Sequence, residues 1–361
     1  MKVLYAVQAT GNGHISRANE ILPELEKMVE VDVLVSGTES EVGLNHFIKY
    51  RRKGLSFSFG KKGGIDFVKT IKSIKAKKFM EEVRSIPVEQ YDLVINDFEP
   101  LSAWACKMRN IPCVSLSHQS AVINPKAPKP KAPDPLAWMV LKHFAPYIKS
   151  IGFHFQSYDT DIFTPIIRSE IRHAYIRNLG HYTVYLPAYA DHKLISFFQS
   201  FPSVQWHIFS KKSKKNYADG NCWIRPVNNY DFISSFTACE GIITGAGFET
   251  PAEALYMGKK LLVVPMKNQY EQYCNAAALS EMGVPVLKNL KKNKVKKIEK
   301  WLQSNDRIQV NYPNQLADVL GKLLSGFKLQ KPATNGHPLK ANSSERMLQT
   351  SQKAGHLVTG M

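Results

Sequence analysis

The sequence predicts an α/β chain made of two successive doubly wound units, each with a mostly parallel sheet. Three observations predict it. Short apolar strands alternate with amphipathic helical stretches through the first 120 residues, and the alternation starts again at Tyr182. Polar residues follow the strands at their carboxyl ends, where open α/β sheets bind ligands. The 361 residues, 44% of them hydrophobic, suffice for two packed cores at about 100–200 residues per domain.

In the first unit, Val3–Val7 is a strand, followed by a Gly-rich turn and a helix from Ile15 to about Val29. Ile15, Ala18, Ile21, Leu22, Leu25 and Met28 lie on one stripe of that helix. Val31–Val35 is the next strand. Leu93-Val94-Ile95 leads into Asn96-Asp97-Phe98-Glu99-Pro100, and Pro112–Leu116 into Ser117-His118-Gln119. Asn124–Pro135 holds five prolines and is expected to be an extended loop. Ile151–Phe155 is expected to be the last strand of the first unit, with the crossing between units over Tyr158–Leu179. In the second unit the expected strands are Thr183–Leu186, Val204–Phe209, Cys222–Ile224, Gly241–Thr244 and Leu261–Val264, with a final helix over Asn314–Leu324. The domains are therefore expected at 1–160 and 161–328. Residues 329–361 are polar and without periodicity, and are expected to be a disordered tail.

A net charge of +18 favours an anionic partner: nucleic acid, a membrane surface or a phosphate-bearing substrate. From Phe47 to Met80 eleven Lys/Arg stand against one acid, with aromatic and aliphatic residues interleaved. That block is either a solvated amphipathic helix plus a loop, or a surface element that meets anionic lipid. Lys288–Lys300 is a second basic run. The five cysteines form no C-x-x-C pair, which argues against a disulfide framework or a Cys-rich zinc site and suits a reducing cytosol. The N-terminus lacks the pattern of a signal peptide, and no apolar run is long enough for a transmembrane helix.

Two segments carry the chemistry. Ala9-Thr10-Gly11-Asn12-Gly13-His14-Ile15-Ser16-Arg17 joins the first strand to the first helix. Its glycines permit close approach of a ligand to free helix N–H groups. It is not a dinucleotide fingerprint, because Ser16 stands where the third glycine belongs and the second strand ends in Ser36-Gly37. No Gly-Lys-Ser/Thr follows, so it is not a P-loop either. His14 at the mouth of the unit is either a base or a cap. The second segment, Gly241–Gly258, runs from a strand through Thr244-Gly245-Ala246-Gly247-Phe248 into a helix. Thr250 is a natural N-cap, with Pro251 behind it and Gly258 at the helix end. Such an N-terminus suits a diphosphate. Glu253 is either a ligand or the far half of a Thr-x-x-Glu capping box. Met266–Ala276, with Gln269, Glu271 and Gln272, lies beside it and offers partners for sugar hydroxyls.

Together these segments resemble the donor-binding signature of GT-B glycosyltransferases, and among them the peptidoglycan N-acetylglucosaminyltransferases of MurG type and their relatives. The resemblance spans about residues 1–325. It implies two Rossmann-like domains facing each other across a cleft. Glu253 matches that family's ribose glutamate, and Gln269, Glu271 and Gln272 match its sugar-contacting loop, which closes on Asn275-Ala276. Thr10–His14 resembles the family's N-terminal Gly-Thr-Gly-Gly-His loop. Two departures put the acceptor in doubt. Leu186-Pro187-Ala188-Tyr189-Ala190 replaces a second Gly-rich turn, and Ser117-His118-Gln119 carries no glutamate.

The expectation is an inverting, metal-independent glycosyltransferase without cofactor, using a nucleotide-sugar, in the first instance a UDP-sugar. His14 and Asp97 are expected to be catalytic. Thr244, Gly245, Ala246, Gly247, Phe248, Thr250, Glu253, Gln269, Glu271 and Gln272 are expected to bind the nucleotide-sugar. Gly11, Asn12, Gly13, Arg17, Glu99 and His118 are expected to bind the acceptor. Glu99 is alternatively the cap of the helix that starts near Pro100. The basic–aromatic block suggests a lipid-linked acceptor and a cytoplasmic protein held peripherally on the inner face of the cytoplasmic membrane. Asp159-Thr160-Asp161 has the form of a metal-binding pair but lies in the interdomain crossing and is taken as a turn or cap. A nucleotide-sugar 2-epimerase of the same fold is the alternative. It would need several acids in the cleft. A basic nucleic-acid binder is the alternative from another class, but no RNA- or DNA-binding motif is present.

Overall fold

The computed structural model describes residues 1–37, 42–54 and 76–328. Among the described residues the first unit contains the strands β1 (Lys2–Gln8), β2 (Glu30–Ser36), β3 (Tyr50–Arg52), β4 (Leu93–Asp97), β5 (Cys113–Ser117), β6 (Lys149–Phe153) and β7 (Ile162–Phe163). They form one sheet in the order β3-β2-β1-β4-β5-β6-β7, and every pairing is parallel. The second unit contains β8 (Tyr182–Tyr185), β9 (Trp206–Ser210), β10 (Tyr217–Asp219), β11 (Cys222–Pro226), β12 (Gly241–Thr244) and β13 (Lys260–Val263), in the order β10-β11-β9-β8-β12-β13. Only its edge strand β10 runs antiparallel.

Parallel strands covered by helices on both faces are continuous apolar runs, and Val3–Val7 is buried throughout. The first helix, Asn12–Glu26, buries Ile15, Ala18, Ile21, Leu22 and Leu25. It starts and ends three residues earlier than its apolar stripe suggests. At β6, a Cβ on Gly152 would lie 2.7 Å from that of Ala121, so glycine lets the helix His118–Ile123 approach the strand.

Several expectations need correction. β6 does not end the first sheet, because the two-residue strand β7 follows it, just past the expected boundary at 160. The start of the basic block is an edge strand, β3, and its end a helix, Ala76–Arg84. Residues 55–75 of that block lie outside the described residues, as does the tail 329–361. A helix at Pro135–His143 follows the proline loop and has no counterpart in the sequence reading. The last helix, Leu316–Lys328, packs on Asn12–Glu26 of the first unit, and its Lys322 binds Asp161 at 3.1 Å. One apolar core accordingly runs between the units, from Ile15 and Leu22 through Phe248 and Ala252 to Leu323.

Candidate active site

β1 and β4 are neighbours, so the turn after β1 and the end of β4 meet at the carboxyl edge of the sheet. Gly11 is extended and the helix begins at Asn12, which sets His14 and Arg17 on one face, three residues apart. His14 Nδ1 is 2.9 Å from Asp97 Oδ1. Arg17 donates to both Asp97 oxygens, from Nη2 at 2.8 Å and from Nε at 3.0 Å. Arg17 Nη2 also lies 3.1 Å from His14 Nδ1 but donates to Asp97 Oδ1 at 2.8 Å, and with the Asp97 carboxylate the nearer partner of Nδ1 the proton is assigned to Nδ1, leaving a lone pair on Nε2. That Nε2 faces the amide nitrogen of Gln119 at 3.3 Å.

Asp97 is fully buried. Burial pushes its carboxyl up, but the charges and hydrogen bonds of Arg17 and His14 outweigh this and hold it below the usual carboxylate range. Ionised and enclosed, it orients the imidazole and does not meet a substrate hydroxyl. Asp97, expected to be catalytic, thus sits behind His14 and Arg17 with no exposed oxygen.

The adjacent acid goes elsewhere. Phe98 has φ +58°, a left-handed conformation that costs a non-glycine residue about 1–3 kcal/mol. Beyond this kink Glu99 caps the helix Pro100–Arg109, accepting from Leu101 N at 2.9 Å and from Ser102 N and Oγ at 2.6 Å each. Of its two sequence readings the cap is the one the structure contains, and Glu99 is enclosed. His118 is not open to an acceptor either. It is buried, stacks on Phe248 at 3.9 Å, and uses its ring nitrogens on Phe153 O and Asn275 Oδ1, both at 2.8 Å. Burial pushes its pKa down. It joins the first unit to the second.

On the other side, the Gly-rich turn is braced from behind. Gln272 Oε1 accepts from Ala246 N at 3.2 Å and Met266 N at 2.8 Å, and Asn275 donates to Ala246 O at 3.0 Å. Thr244 is buried and bonds Tyr185 O. Gln272, Ala246 and Thr244 thus shape the turn, which corrects their expected direct role. Gly245 and Gly247 are partly accessible. The helix is Glu249–Tyr256, two residues longer at its start than expected, with no side-chain cap. Thr250 is therefore inside it and the Thr250–Glu253 capping box does not form. Gly258, at φ +63°, ends it as expected. Glu253, 1% exposed, is gripped by the guanidinium fork of Arg168 at 2.6 and 2.8 Å. Burial pushes the Glu253 carboxyl up while Arg168 pulls it down.

In the next loop Gln269 precedes the helix Tyr270–Glu281, and its Oε1 is buried without a partner. Glu271 accepts from Gln119 Nε2 at 3.1 Å, so Gln119 bridges His14 and the second unit. The Asp159 and Asp161 carboxylates are each taken by a lysine, Lys126 and Lys322. Lys126 and Asn124 hold Asp159 down at about 2. Among the described residues no group of three or more His, Cys, Asp or Glu is arranged to hold a metal ion.

Three residues of the site were not singled out from sequence. Glu249, the first helical residue after the turn, receives Arg17 Nη1 at 2.5 Å. Arg168 comes from the crossing segment, and Gln119 from the helix that follows β5. Only Glu249, beside the Gly-rich turn, had a local signal. Arg168 and Gln119 are far in sequence from their partners.

The model of the family described as glycosyl transferase family 1 matches residues 1–304. No protein of curated function matches the chain. Among solved structures, Arabidopsis thaliana UGT89C1 complexed with UDP is 14% identical with a TM-score of 0.55, over 90% of this chain and 94% of that one. MurG of Acinetobacter baumannii is 14% identical with a TM-score of 0.52, over 91% and 98%. The glycotransferase of kitacinnamycin is 11% identical with a TM-score of 0.52, over 91% and 95%. The two facing α/β units are those of the GT-B fold.

Proposed function

The chain belongs to glycosyl transferase family 1 and is a glycosyltransferase, and on that premise we propose that it moves a sugar from a UDP-sugar to an acceptor hydroxyl with inversion, His14 acting as base. The observation that carries this reading is the His14–Asp97 pair, in which the free ring nitrogen of His14, Nε2, faces Gln119 Nε2 at 3.3 Å. Solved neighbours of the same fold bind UDP and UDP-L-rhamnose, which supports the donor class.

The acceptor hydroxyl takes the place of Gln119 as donor to His14 Nε2. As its proton passes to Nε2, its oxygen attacks the anomeric carbon. The bond from that carbon to the donor diphosphate breaks, and the diphosphate leaves with the electron pair from the opposite face. Asp97 stabilises the imidazolium that forms. The Gly247 N–H and those of the following helix start serve the leaving diphosphate, the Ala246 N–H being taken by Gln272. Arg17 neutralises Glu249 there, which removes a charge that would repel it. Glu253 is the residue expected to accept from the ribose hydroxyls, which requires the entering donor to loosen the Arg168 fork that covers both its oxygens, and Gln269 and Glu271 accept from those of the sugar. No metal is invoked, and turnover should survive EDTA.

We further propose a lipid-linked acceptor and a peripheral place on the cytoplasmic face of the membrane. No described helix is long and apolar enough to cross a membrane. The first unit exposes Met108, Leu136 and Met139, and Lys107 and Lys142 lie over Trp104 and Trp138 at 4.9 and 4.8 Å. Amphipathic rings beside lysines suit an anionic lipid surface. The test is mass spectrometry of products from a panel of nucleotide-sugars with lipid extracts. A glycosylated lipid supports the proposal. Transfer to soluble acceptors alone refutes its lipid part, and release of a 2-epimer refutes the transfer itself.

A further inference from the structure

We propose that Glu249 is a positioning residue that reaches across the cleft to hold the His14–Asp97 pair in its working geometry. The proposal rests on the reading of His14 as base. Arg17 is almost fully buried, and its hydrogen bonds are divided between the two units. Nε and Nη2 hold Asp97 on the first unit, and Nη1 holds Glu249 on the second. A buried guanidinium that loses one partner is left with an unsatisfied N–H and a reason to turn. Any rotation of Arg17 withdraws the two hydrogen bonds that fix the Asp97 carboxylate. Asp97 in turn is what keeps the His14 proton on Nδ1.

The second observation is independent of this chain of bonds. A Cβ built on Gly13 would stand 2.4 Å from Glu249 Oε2 and 2.7 Å from its Cδ. The helix start is therefore bare where the Glu249 carboxylate lies against it. Gly13 is helical, with no positive φ to demand glycine, so the close approach of Glu249 is the reason the structure offers for it. A second pair on the same helix does not touch the base: Arg168, from the segment that joins the units, grips Glu253 one turn further along. Of the two pairs, only the one between Arg17 and Glu249 joins the first unit to the second and leads to His14. The base is thus completed when the donor-binding unit closes on it.

The experiment uses the full chain with ¹⁵N-labelled histidine, its ring nitrogens observed by NMR at pH 8. The His14 signals are identified by their loss in His14→Gln. In the wild type the ring is expected to be locked as the Nδ1–H tautomer. In Glu249→Gln the Nε2–H form should rise to a comparable population. Gly13→Ala should do the same, because the added methyl displaces the flexible end of Glu249 while alanine favours the helix. Arg168→Gln should leave the ring as in the wild type. With UDP-glucose as probe, hydrolysis by Glu249→Gln should show a tenfold lower kcat and a KM within threefold of the wild type. An unchanged His14 tautomer in Glu249→Gln and Gly13→Ala overturns the proposal. An equal change in Arg168→Gln also overturns it, since the cause would then be general opening of the cleft. If the wild type hydrolyses no nucleotide-sugar, the sugar-transfer reading is in question, while the ring spectra still decide the role of Glu249.

Discussion

Asp97→Asn keeps the shape of the side chain and removes its charge, and the structure indicates what should follow. The carboxylate accepts three hydrogen bonds, from His14 Nδ1 and from Arg17 Nη2 and Nε, at 2.9, 2.8 and 3.0 Å. An asparagine offers one acceptor and one donor group in their place. If its oxygen faces His14 and Nη2, its NH₂ is set against Arg17 Nε. If it turns over, the NH₂ faces His14 Nδ1 and Nη2. Both arrangements oppose N–H to N–H in a site closed to water. Breaking a buried ion pair in this way costs about 3–5 kcal/mol. At about 2–4 °C per kcal/mol, Tm should fall by roughly 10 °C. The turned-over amide also makes Nδ1 the acceptor, so His14 carries its proton on Nε2 and has no lone pair for the acceptor hydroxyl. Losing the general base lowers the rate by about 10²–10⁴, or roughly 3–5.5 kcal/mol at 1.36 kcal/mol per decade. Steady-state transfer should be followed at 25 °C, with circular dichroism to verify that the variant is folded. A folded Asp97→Asn protein with kcat within threefold of the wild type would refute the assignment of His14 as a base oriented by Asp97.

Glu253→Gln should lower Tm by breaking the fork with Arg168 and should weaken UDP binding about tenfold by calorimetry, the worth of one hydrogen bond to a charged group. Arg168→Gln should lower Tm without weakening UDP. Equal weakening in both would make Glu253 only a pin between the units. A pH effect is expected from His207, which stacks on His181 at 3.9 Å and is pushed down to about 4 by burial, with His181 and Arg225 adding to the shift. The unfolded chain binds this proton near pH 6.5, so the neutral ring contributes full stability above that pH. The contribution should be lost as pH falls from 6.5 to 4, by about 1–2 kcal/mol once solvent screening at the half-buried ring is included. Urea midpoints at pH 7.5 and 4.5 measure it, and His207→Gln should show a smaller drop. An equal drop would place the cause elsewhere. Replacing Lys107 and Lys142 with Glu should weaken binding to phosphatidylglycerol vesicles by about 1 kcal/mol for each lysine that reaches the surface. Unchanged flotation at low salt would remove this face as the membrane contact.

The sequence by itself determined the two parallel sheets, because strands buried on both faces must be continuous apolar runs and the helices over them must carry a stripe. Most of the foreseen strands, Val3–Val7 and Gly241–Thr244 among them, lie within a residue or two of those observed. The short strands β3, β7 and β10 were not legible, since two or three residues carry no period and take their strand conformation from a neighbour. The sequence also determined that His14 and the Gly245–Gly247 turn lie at strand ends, where this topology puts its ligands. The partners of these groups came only from the tertiary structure. Asp97 and Glu99 are two residues apart with the same chemistry, and the left-handed turn at Phe98 sends one to His14 and the other into a helix cap. Thr250 and Glu253 have the spacing of a capping box, yet the helix starts earlier and Arg168, eighty-five positions away from Glu253, takes the carboxylate. Gln119 and Glu249 find partners across the interface between the units, and Arg168 reaches Glu253 from the segment that joins them. A buried ion or amide is satisfied by whatever lies within about 3 Å of it in space, and local spacing in the chain does not encode that distance.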